Sequence, residues 1–215
     1  MSAPDLHYSN SVQDKQTNQI SFRQELYRKL THLGALSIPV GYYIFRLSRA
    51  EALWIMIPIT LGMIILDISR LKGWKFWNLF RPVIGPIIRE HESRGDFTGA
   101  SYILTSACLV IALFDKPIAM ASLVFIIVGD TAAALIGRRF GRHKIGHKSI
   151  EGSLSFLIVS AVVVLIIPDL NIIVGLTGAV AATIAEAVTL RLDDNTTVPL
   201  ISGLVMHLLN VILAS

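Results

Sequence analysis

The most constraining feature of this sequence is a series of apolar runs of the length that crosses a lipid bilayer as a helix. A hydrocarbon core about 30 Å thick needs about 20 helical residues, and about 17 are enough. Such runs dominate the chain, because 53% of its residues are hydrophobic and 16% are charged. The predicted spans are 31–46, 50–66, 98–114, 117–136, 152–168, 171–190 and 198–214. The sequence therefore predicts an all-α, polytopic membrane helix bundle of about seven transmembrane helices.

Basic residues are divided unevenly between the two sides of this predicted bundle. The amino-terminal arm and the loops at 67–97, 137–151 and 191–197 contain sixteen Lys and Arg residues, whereas the other side contains three. Cytoplasmic loops of membrane proteins carry the excess of basic residues. An odd number of spans with this division predicts a cytosolic amino terminus and places every long polar segment in the cytosol.

The remaining segments predict one membrane domain with a polar arm. Residues 1–19 have no apolar core and no cleavage site, so we expect a disordered arm and no secretory signal peptide. Residues 20–30 and 72–81 interleave apolar or aromatic side chains with basic ones, which is typical of amphipathic helices in the membrane interface. Residues 20–215 are predicted to form a single integral membrane domain. The lone Cys108 excludes a Cys-based zinc site within the chain, and a scattered net charge of +4 does not favour nucleic-acid binding.

Two acidic residues lie inside predicted spans, where an ionisable side chain costs at least about 2.5 kcal/mol on insertion scales. They are Asp130 and Glu186, roughly 10 and 7 Å from the cytosolic ends of their helices at 1.5 Å per residue. Small residues recur every four positions along both helices, at Gly129, Ala133, Gly137 and Gly141 and at Gly178 and Ala182. Such stripes permit close helix packing, which we expect to bring the two acids together around a divalent cation or with one of them protonated. The alternative is that each acid bonds a neighbouring helix or an Arg.

A basic, glycine-rich segment follows the Asp130 helix and reads GRRFGRHKIGHKSIEGS from residue 137 to residue 153. Glycine lets backbone N–H groups approach phosphate oxygens, and Arg and Lys neutralise their charge. The segment is not a Walker loop, because the chain contains no GxxxxGK[ST] motif. The candidate phosphate-binding residues are Gly137, Arg138, Gly141, Arg142, Lys144, Lys148, Ser149 and Glu151. The alternative is an ordinary basic loop that follows the positive-inside rule.

The last predicted cytosolic loop carries three adjacent oxygen donors, Asp193, Asp194 and Asn195. Oxygen ligands of this kind hold Mg²⁺ ions that also bind substrate phosphates, and the alternative is a solvated turn. Glu186 precedes Asp193 by seven residues, so a continuous helix would place both on one face. Weaker candidates, for substrate binding or as structural anchors at the interface, are Arg28, Lys29, His32, Asp67, Arg70 and Glu92.

Four blocks of sequence together resemble the CTP-dependent lipid kinase family, which includes dolichol, phytol and farnesol kinases and the yeast-type diacylglycerol kinase. They are RKLTHLG at 28–34, REHESRGDFTGASYIL at 89–104, GDTAAALIGRRFGRHKIGHKSIEGS at 129–153 and AEAVTLRLDDNTTVP at 185–199. The resemblance covers nearly everything after residue 20, in the same order. It implies transfer of the γ-phosphoryl group of CTP to a lipid hydroxyl, giving a lipid monophosphate and CDP, with Mg²⁺ or another divalent cation as cofactor.

This resemblance also implies roles for the candidate residues. The expected catalytic residues are Asp130, Glu186 and Lys148, and Asn195 joins the basic segment in binding the nucleotide. The expected metal ligands are Asp130, Glu186, Asp193 and Asp194. Whether Asp130 or Glu186 acts as the base stays open. We expect the site on the cytosolic face, where a membrane lipid alcohol meets CTP, and the sequence predicts no oligomeric state.

Two other functions fit parts of the same pattern. A phosphatidate cytidylyltransferase would use the same nucleotide, metal and topology, but it would make a CDP-lipid and release pyrophosphate. An ion-coupled transporter would use Asp130 and Glu186 to relay protons or ions. A transporter has no evident use, however, for a basic, glycine-rich loop.

Overall fold

The computed structural model describes residue 30 and residues 32–85, 88, 95–146, 148–188 and 193–214. The predictions for the arm at 1–19, the interfacial helix at 20–30 and the side chains of Arg28, Lys29 and Glu92 lie outside these residues. Within the described residues the fold is an all-α helix bundle with a single two-stranded hairpin. The predicted fold class is therefore confirmed.

Helices occupy the predicted positions in order along the chain. They are α1 (Ser37–Ile44), α2 (Arg49–Leu71), α3 (Trp77–Ile84), α4 (Gly99–Leu113), α5 (Lys116–Val124), a π-helical turn (Phe125–Gly129), α6 (Asp130–Phe140), α7 (Ile150–Ile166), α8 (Ile172–Ala187) and α9 (Asp194–Ala214). The hairpin of β1 (Lys144–Ile145) and β2 (Lys148–Ser149) connects α6 to α7.

Three helices of the described chain are long and apolar enough to cross a membrane, and they are Arg49–Leu71, Lys116–Phe140 and Asp194–Ala214. Gly99–Leu113, Ile150–Ile166 and Ile172–Ala187 are shorter apolar helices. The predicted first span, 31–46, differs most from the structure, because a turn at 35–36 separates helical residues 32–34 from α1, which begins at Ser37. Pro39 has no N–H to bond the carbonyl of Ala35, so a regular helix cannot run through that turn.

The continuous helix Lys116–Phe140 lies at the centre of the bundle. Phe125, Ile126 and Ile127 on this helix are fully buried, whereas Trp54 on α2 and Leu165 on α7 are 80% and 70% exposed. Large apolar side chains on the outside of a bundle are suited to contact with lipid tails. The central helix therefore carries Asp130 from the buried core toward one end of the bundle, which we call the site end.

Arg49 and Lys116 connect two loops at the end of the bundle opposite the site end. Arg49 donates a hydrogen bond to the carbonyl of Phe114 at 3.1 Å, and Lys116 donates one to the carbonyl of Leu47 at 2.8 Å. The Lys116 ammonium also lies 4.4 Å from the centroid of the Tyr42 ring, a cation–π contact. These contacts connect the α1–α2 loop to the α4–α5 loop and hold the first helices against the central one.

The predicted small-residue stripes are packing surfaces, but they do not pack against each other. A Cβ atom at Gly129 would lie 2.7 Å from the Phe156 ring, so α6 and the π-helical turn pack closely on α7. A Cβ at Gly178 would overlap Met206, so α8 packs closely on α9. The stripes on the two helices that carry Asp130 and Glu186 therefore pack on α7 and on α9, respectively. A four-residue repeat indicates close packing, but it does not identify the partner helix.

We expect Gly141→Ala to lower the thermal stability of the protein. A Cβ at Gly141 would overlap the carbonyl oxygen of Gly137 and lie 2.7 Å from the Ser149 Oγ atom. Backbone atoms cannot yield to such a contact, and overpacking of this kind costs about 1–3 kcal/mol. Gly62→Ala is the matched control, because nothing lies within 4 Å of its Cβ position. Thermal unfolding in detergent should show a lower midpoint for Gly141→Ala alone, and equal midpoints for both variants would contradict this packing.

Candidate active site

The Lys148 ammonium lies between two acids that come from different helices. Its Nζ atom is 2.8 Å from Oδ2 of Asp194 and 3.0 Å from Oε1 of Glu186, and it also donates a hydrogen bond to the backbone carbonyl of Glu186. Strand β2 supplies Lys148, the last turn of α8 supplies Glu186 and the first turn of α9 supplies Asp194. Three separate motifs of the sequence therefore meet around one cation.

This cluster is largely shielded from solvent. Glu186 is 4% exposed, and its second oxygen, Oε2, accepts a hydrogen bond from the Ser153 hydroxyl at 3.3 Å. Burial of the Lys148 ammonium acts to lower its pKa, but the hydrogen bond to Asp194 and the charge of Glu186 outweigh that effect and raise the pKa above its ordinary value. Lys148 is therefore firmly cationic. Sequence reasoning missed Ser153, because nothing in the spacing distinguished it from Ser149.

The loop between α8 and α9 brings Asp194 to Lys148 in a way that the sequence did not predict. A continuous helix from Glu186 to Asp193 is wrong, because the helix ends at Ala187 and Val188 has an extended backbone. Asp193 instead starts α9: its Oδ1 atom accepts a hydrogen bond from the Asn195 N–H at 2.9 Å, and its carbonyl accepts from Thr196 and Thr197. The side chain of Asp194 is thereby free to turn toward Lys148. Asn195 is 5% exposed beside it.

Asp130 lies at the edge of the same group of charges. It comes directly after the π-helical turn, as the first residue of α6, and its side chain is 25% exposed. The negative charges of Asp130 and Asp193 both act on the Asp194 carboxylate. Oδ2 of Asp130 lies 3.8 Å from Nε2 of His32, which comes from the first of the four sequence blocks. Asp130 therefore connects α6 to the amino-terminal segment.

The basic segment forms a closed hairpin at the site end. Strands β1 and β2 pair antiparallel, and Gly146 makes the turn with a φ of +58°, a backbone conformation that favours glycine. Both the backbone N–H and the ring Nδ1 of His143 contact the carboxylate of Glu151, the latter at 2.8 Å. Glu151 thus closes the base of the hairpin. Lys148 points to the acids, whereas Arg138, Arg142 and Lys144 are exposed at the surface.

Ser149 has a defined structural role within this segment. Its hydroxyl accepts a hydrogen bond from the Gly152 N–H at 3.2 Å and so caps the amino terminus of α7. The same oxygen would lie 2.9 Å from a Cβ atom at Gly137. Gly137, Gly141 and Ser149, all predicted to bind phosphate, are therefore the residues through which α6 and α7 approach each other.

Asp67 and Arg70 hold the start of α4. Asp67 is 1% exposed, and its Oδ2 atom accepts hydrogen bonds from the Thr98 N–H at 2.8 Å, the Thr98 hydroxyl at 2.9 Å and the Ser101 hydroxyl at 2.6 Å. Arg70 pairs with the other Asp67 oxygen at 3.3 Å and donates to the carbonyl of Asp96 at 2.6 Å. Of the two roles that the sequence left open, substrate binding and structural anchoring, these contacts favour a structural anchor.

We expect Asp67→Asn to destabilise the protein. The Asn amide group cannot accept all of these hydrogen bonds, and leaving a buried partner unsatisfied costs about 1–3 kcal/mol or more when charge is involved. Asp115→Asn is the control, since Asp115 is 62% exposed and pairs weakly with Arg49 at 3.5 Å. Thermal unfolding midpoints should fall for Asp67→Asn and stay near wild type for Asp115→Asn. An unchanged midpoint for Asp67→Asn would show that this network contributes little.

The arrangement of Glu186 and Asp194 suits a metal ion that is also bound by nucleotide phosphates. It suits less well a metal ion whose ligands all come from the protein. In the described part of the chain no three His, Cys, Asp or Glu side chains are grouped so that they could enclose a metal ion. Mg²⁺ bound to nucleotides typically uses one or two carboxylates, with water and phosphate oxygens as the other ligands. Glu186 and Asp194, which already share one cation, provide such a pair.

Comparison with known proteins relates the chain to lipid kinases. It is 27% identical to the CTP-dependent diacylglycerol kinase 1 of Saccharomyces cerevisiae, over 86% of this chain and 73% of that protein. It is also 27% identical to the protein of the same name from Schizosaccharomyces pombe, over 89% of this chain and 96% of that protein. A probable chloroplastic phytol kinase 1 of Glycine max is 30% identical over 67% of this chain and 49% of that protein.

The relatives named here are lipid kinases. No family model matches the chain, and no solved structure matches it. The relatives confirm the resemblance to the CTP-dependent lipid kinase family that the four sequence blocks indicated. The apolar helices and these relatives together indicate a membrane protein that is similar to lipid kinases.

Proposed function

We propose that this protein is a CTP-dependent lipid alcohol kinase. It transfers the γ-phosphoryl group of CTP to the hydroxyl of a membrane lipid such as diacylglycerol or a prenol, and it produces a lipid monophosphate and CDP. The observation that carries the proposal is the cluster in which Lys148 joins Glu186 and Asp194 at the end of an apolar bundle. The names of the relatives support CTP as donor and a lipid alcohol as acceptor.

The cluster suits the donor because phosphoryl transfer depends mostly on positioning and on neutralisation of charge. Lys148 provides a fixed cation, and the exposed Arg138, Arg142 and Lys144 of the same basic segment add further positive charge. When a triphosphate binds, Lys148 exchanges a carboxylate contact for a phosphate oxygen. Glu186 and Asp194 would then be the residues that hold Mg²⁺, and the metal would supply further neutralisation of the phosphate charge.

The acceptor side of the site is assigned to Asp130. In the transfer, the lipid hydroxyl oxygen forms a bond to the γ-phosphorus, and the bond from that phosphorus to the bridging oxygen breaks, so CDP leaves. The hydroxyl proton passes to a carboxylate. Asp130 is suited to receive it, because its carboxylate is partly exposed at the site end and its charge acts on Asp194 of the cluster. The excess of basic residues at this end supports a site on the cytosolic face.

The experiment that tests this function follows two labels of CTP into lipid. Purified protein in detergent is incubated with Mg²⁺, a panel of lipid alcohols and CTP labelled on either the α- or the γ-phosphorus. A kinase places only the γ label in lipid. A cytidylyltransferase acting on phosphatidate places only the α label in lipid and releases the γ label as pyrophosphate. Absence of both labels from every lipid would contradict the proposal.

A further inference from the structure

The first turn of α7 holds the base of the hairpin that carries Lys148. In this turn the Glu151 carboxylate accepts a hydrogen bond from the backbone N–H of His143 at 3.2 Å, and its Oε1 atom lies 2.8 Å from the ring Nδ1 of His143. Because an ionised carboxylate can only accept hydrogen bonds, Nδ1 carries the hydrogen in this contact. The backbone N–H of Ile150 in turn donates to the carbonyl of His143 at 2.9 Å. These contacts join the two ends of the segment 143–151.

The hairpin inside this segment depends on the contacts at its base. Each strand has two residues, with Lys144 opposite Ser149 and Ile145 opposite Lys148. Both residues of β1 are exposed. An isolated two-stranded hairpin is marginally stable at best in water, and strands of two residues provide few hydrogen bonds to improve on that. The position of the Lys148 backbone is therefore set largely where the hairpin joins α7.

The first turn of α7 is itself fixed to the core of the bundle. A Cβ atom at Gly152 would lie 3.0 Å from the carbonyl oxygen of Ala133, so the backbones of α6 and α7 are close together at this point. Ser153, two residues after Glu151, donates a hydrogen bond to Oε2 of Glu186 at 3.3 Å. One helical turn therefore contacts both the hairpin that supplies Lys148 and the buried acid that pairs with it.

Glu151 is better placed to act through Lys148 than to bind the nucleotide, as its place in the basic segment had suggested. A carboxylate repels phosphate oxygens, and both oxygens of Glu151 already accept from the N–H of His143. In the free protein, Glu186 and Asp194 hold the Lys148 ammonium. When a phosphate oxygen takes the place of a carboxylate, the hairpin has to keep the Lys148 backbone in position. Phosphoryl transfer depends mostly on such positioning.

We propose that Glu151 is a positioning residue that holds Lys148 in place for the triphosphate of CTP, through its contacts with His143. This inference rests on the proposed kinase function, and it gives Glu151 a role that needs no contact with the nucleotide. The contacts lead from the first turn of α7 to His143, and along the hairpin to Lys148. Loss of the Glu151 carboxylate should therefore loosen the hairpin and weaken nucleotide binding, although Lys148 keeps its charge.

Hydrogen exchange of the purified protein without nucleotide tests the contact with the hairpin. In Glu151→Ala, the backbone amides of 143–150 should exchange about 3- to 10-fold faster than in wild type, the factor expected for loss of one net hydrogen bond. The amides of α8 and α9 should keep their wild-type protection, which shows that the bundle is folded. Glu51→Ala is the matched control, because Glu51 also bonds the residue that precedes its helix, Ser48, at the opposite end of the bundle. Equal exchange of 143–150 in Glu151→Ala and wild type would overturn the proposal.

Binding of labelled CTP with Mg²⁺ tests the effect on the site. The dissociation constant should rise by about 3- to 10-fold in Glu151→Ala, and by less in Glu151→Gln, which keeps one acceptor oxygen for His143. The KM for the lipid alcohol should stay within about twofold of wild type. If Glu151 acts through Lys148, adding Glu151→Ala to Lys148→Ala should weaken CTP binding by less than a further factor of about two. Glu51→Ala should bind CTP as wild type does.

The outcomes separate this inference from the proposed function. A wild-type protein that binds no CTP overturns the proposed function and this role of Glu151 with it, whereas the exchange experiment reports on the hairpin alone. If wild type binds CTP, an unchanged dissociation constant in Glu151→Ala overturns the positioning role and leaves the function intact. Equal weakening by Glu151→Ala in the wild-type and Lys148→Ala proteins also overturns it, because Glu151 would then act on the nucleotide independently of Lys148.

Discussion

Replacing Lys148 by Ala should lower lipid phosphorylation by about 10²- to 10³-fold, the loss typical for removal of one group that stabilises charge in a transition state. Lys148 neutralises Glu186 and Asp194 in the free protein, with its ammonium 3.0 Å and 2.8 Å from the two carboxylates. Lys148→Arg keeps the charge but changes its shape, so it should retain more activity than Lys148→Ala. Steady-state transfer of γ-label from CTP to lipid, with CTP varied, measures the effect.

A loss of activity in the Lys148→Ala variant has to be distinguished from a folding defect. Breaking a buried ion pair by removing one partner costs about 3–5 kcal/mol, and Glu186 is 4% exposed. Lys75→Ala is a matched control, because Lys75 is an exposed lysine outside the cluster. Activity is therefore compared for protein that elutes as a single species in detergent. Wild-type activity in a correctly folded Lys148→Ala variant would remove Lys148 from the site.

Replacing Asp130 by Asn should lower kcat by about 10²- to 10⁴-fold, the range for loss of a group that accepts a proton in the transition state. Asn has nearly the same shape, and it removes a negative charge that acts on Asp194. We therefore expect no loss of thermal stability and little change in the binding of CTP. The relevant measurements are kcat at saturating lipid and the thermal unfolding midpoint.

Asp115→Asn is the control for this prediction as well, since Asp115 lies at the opposite end of the bundle and is 62% exposed. It should keep the kcat of the wild-type protein. If Asp130→Asn lost CTP binding and kept kcat, then Asp130 would belong with the nucleotide and metal. Glu186 would in that case become the better candidate for the base.

The positions of the helices could be predicted from sequence because the membrane imposes a simple rule of length and polarity. Each apolar run corresponds to a helix, and buried acids such as Asp130 and Glu186 were recognisable because charge is costly there. The residue types in the polar loops marked Lys148 and Asp194 as candidate site residues. Those residue types pointed to a site, but they did not give its contacts.

The remaining features of the fold and the site depend on which helix surfaces pack together. A single sequence does not show which surfaces these are. The glycine stripes at 129–141 and at Gly178 showed close packing but not that α7 and α9 are the partners. Asp67 appeared only as a charge at the end of a span, because its hydrogen-bond donors lie some thirty residues later, at Thr98 and Ser101. Ser153 and the pairing of His32 with Asp130 likewise depend on the folded arrangement.

The proposed function depends on binding of the CTP triphosphate by the Lys148 cluster. An equilibrium binding measurement is the most direct test of that binding. Labelled CTP and Mg²⁺ are titrated into purified wild-type protein and into the Lys148→Ala and Lys75→Ala variants in detergent. We expect saturable binding to wild type and Lys75→Ala, displaced by unlabelled CTP, and binding weakened by about 10-fold or more in Lys148→Ala. Equal binding by all three proteins, or no binding by wild type, would contradict this role of the cluster.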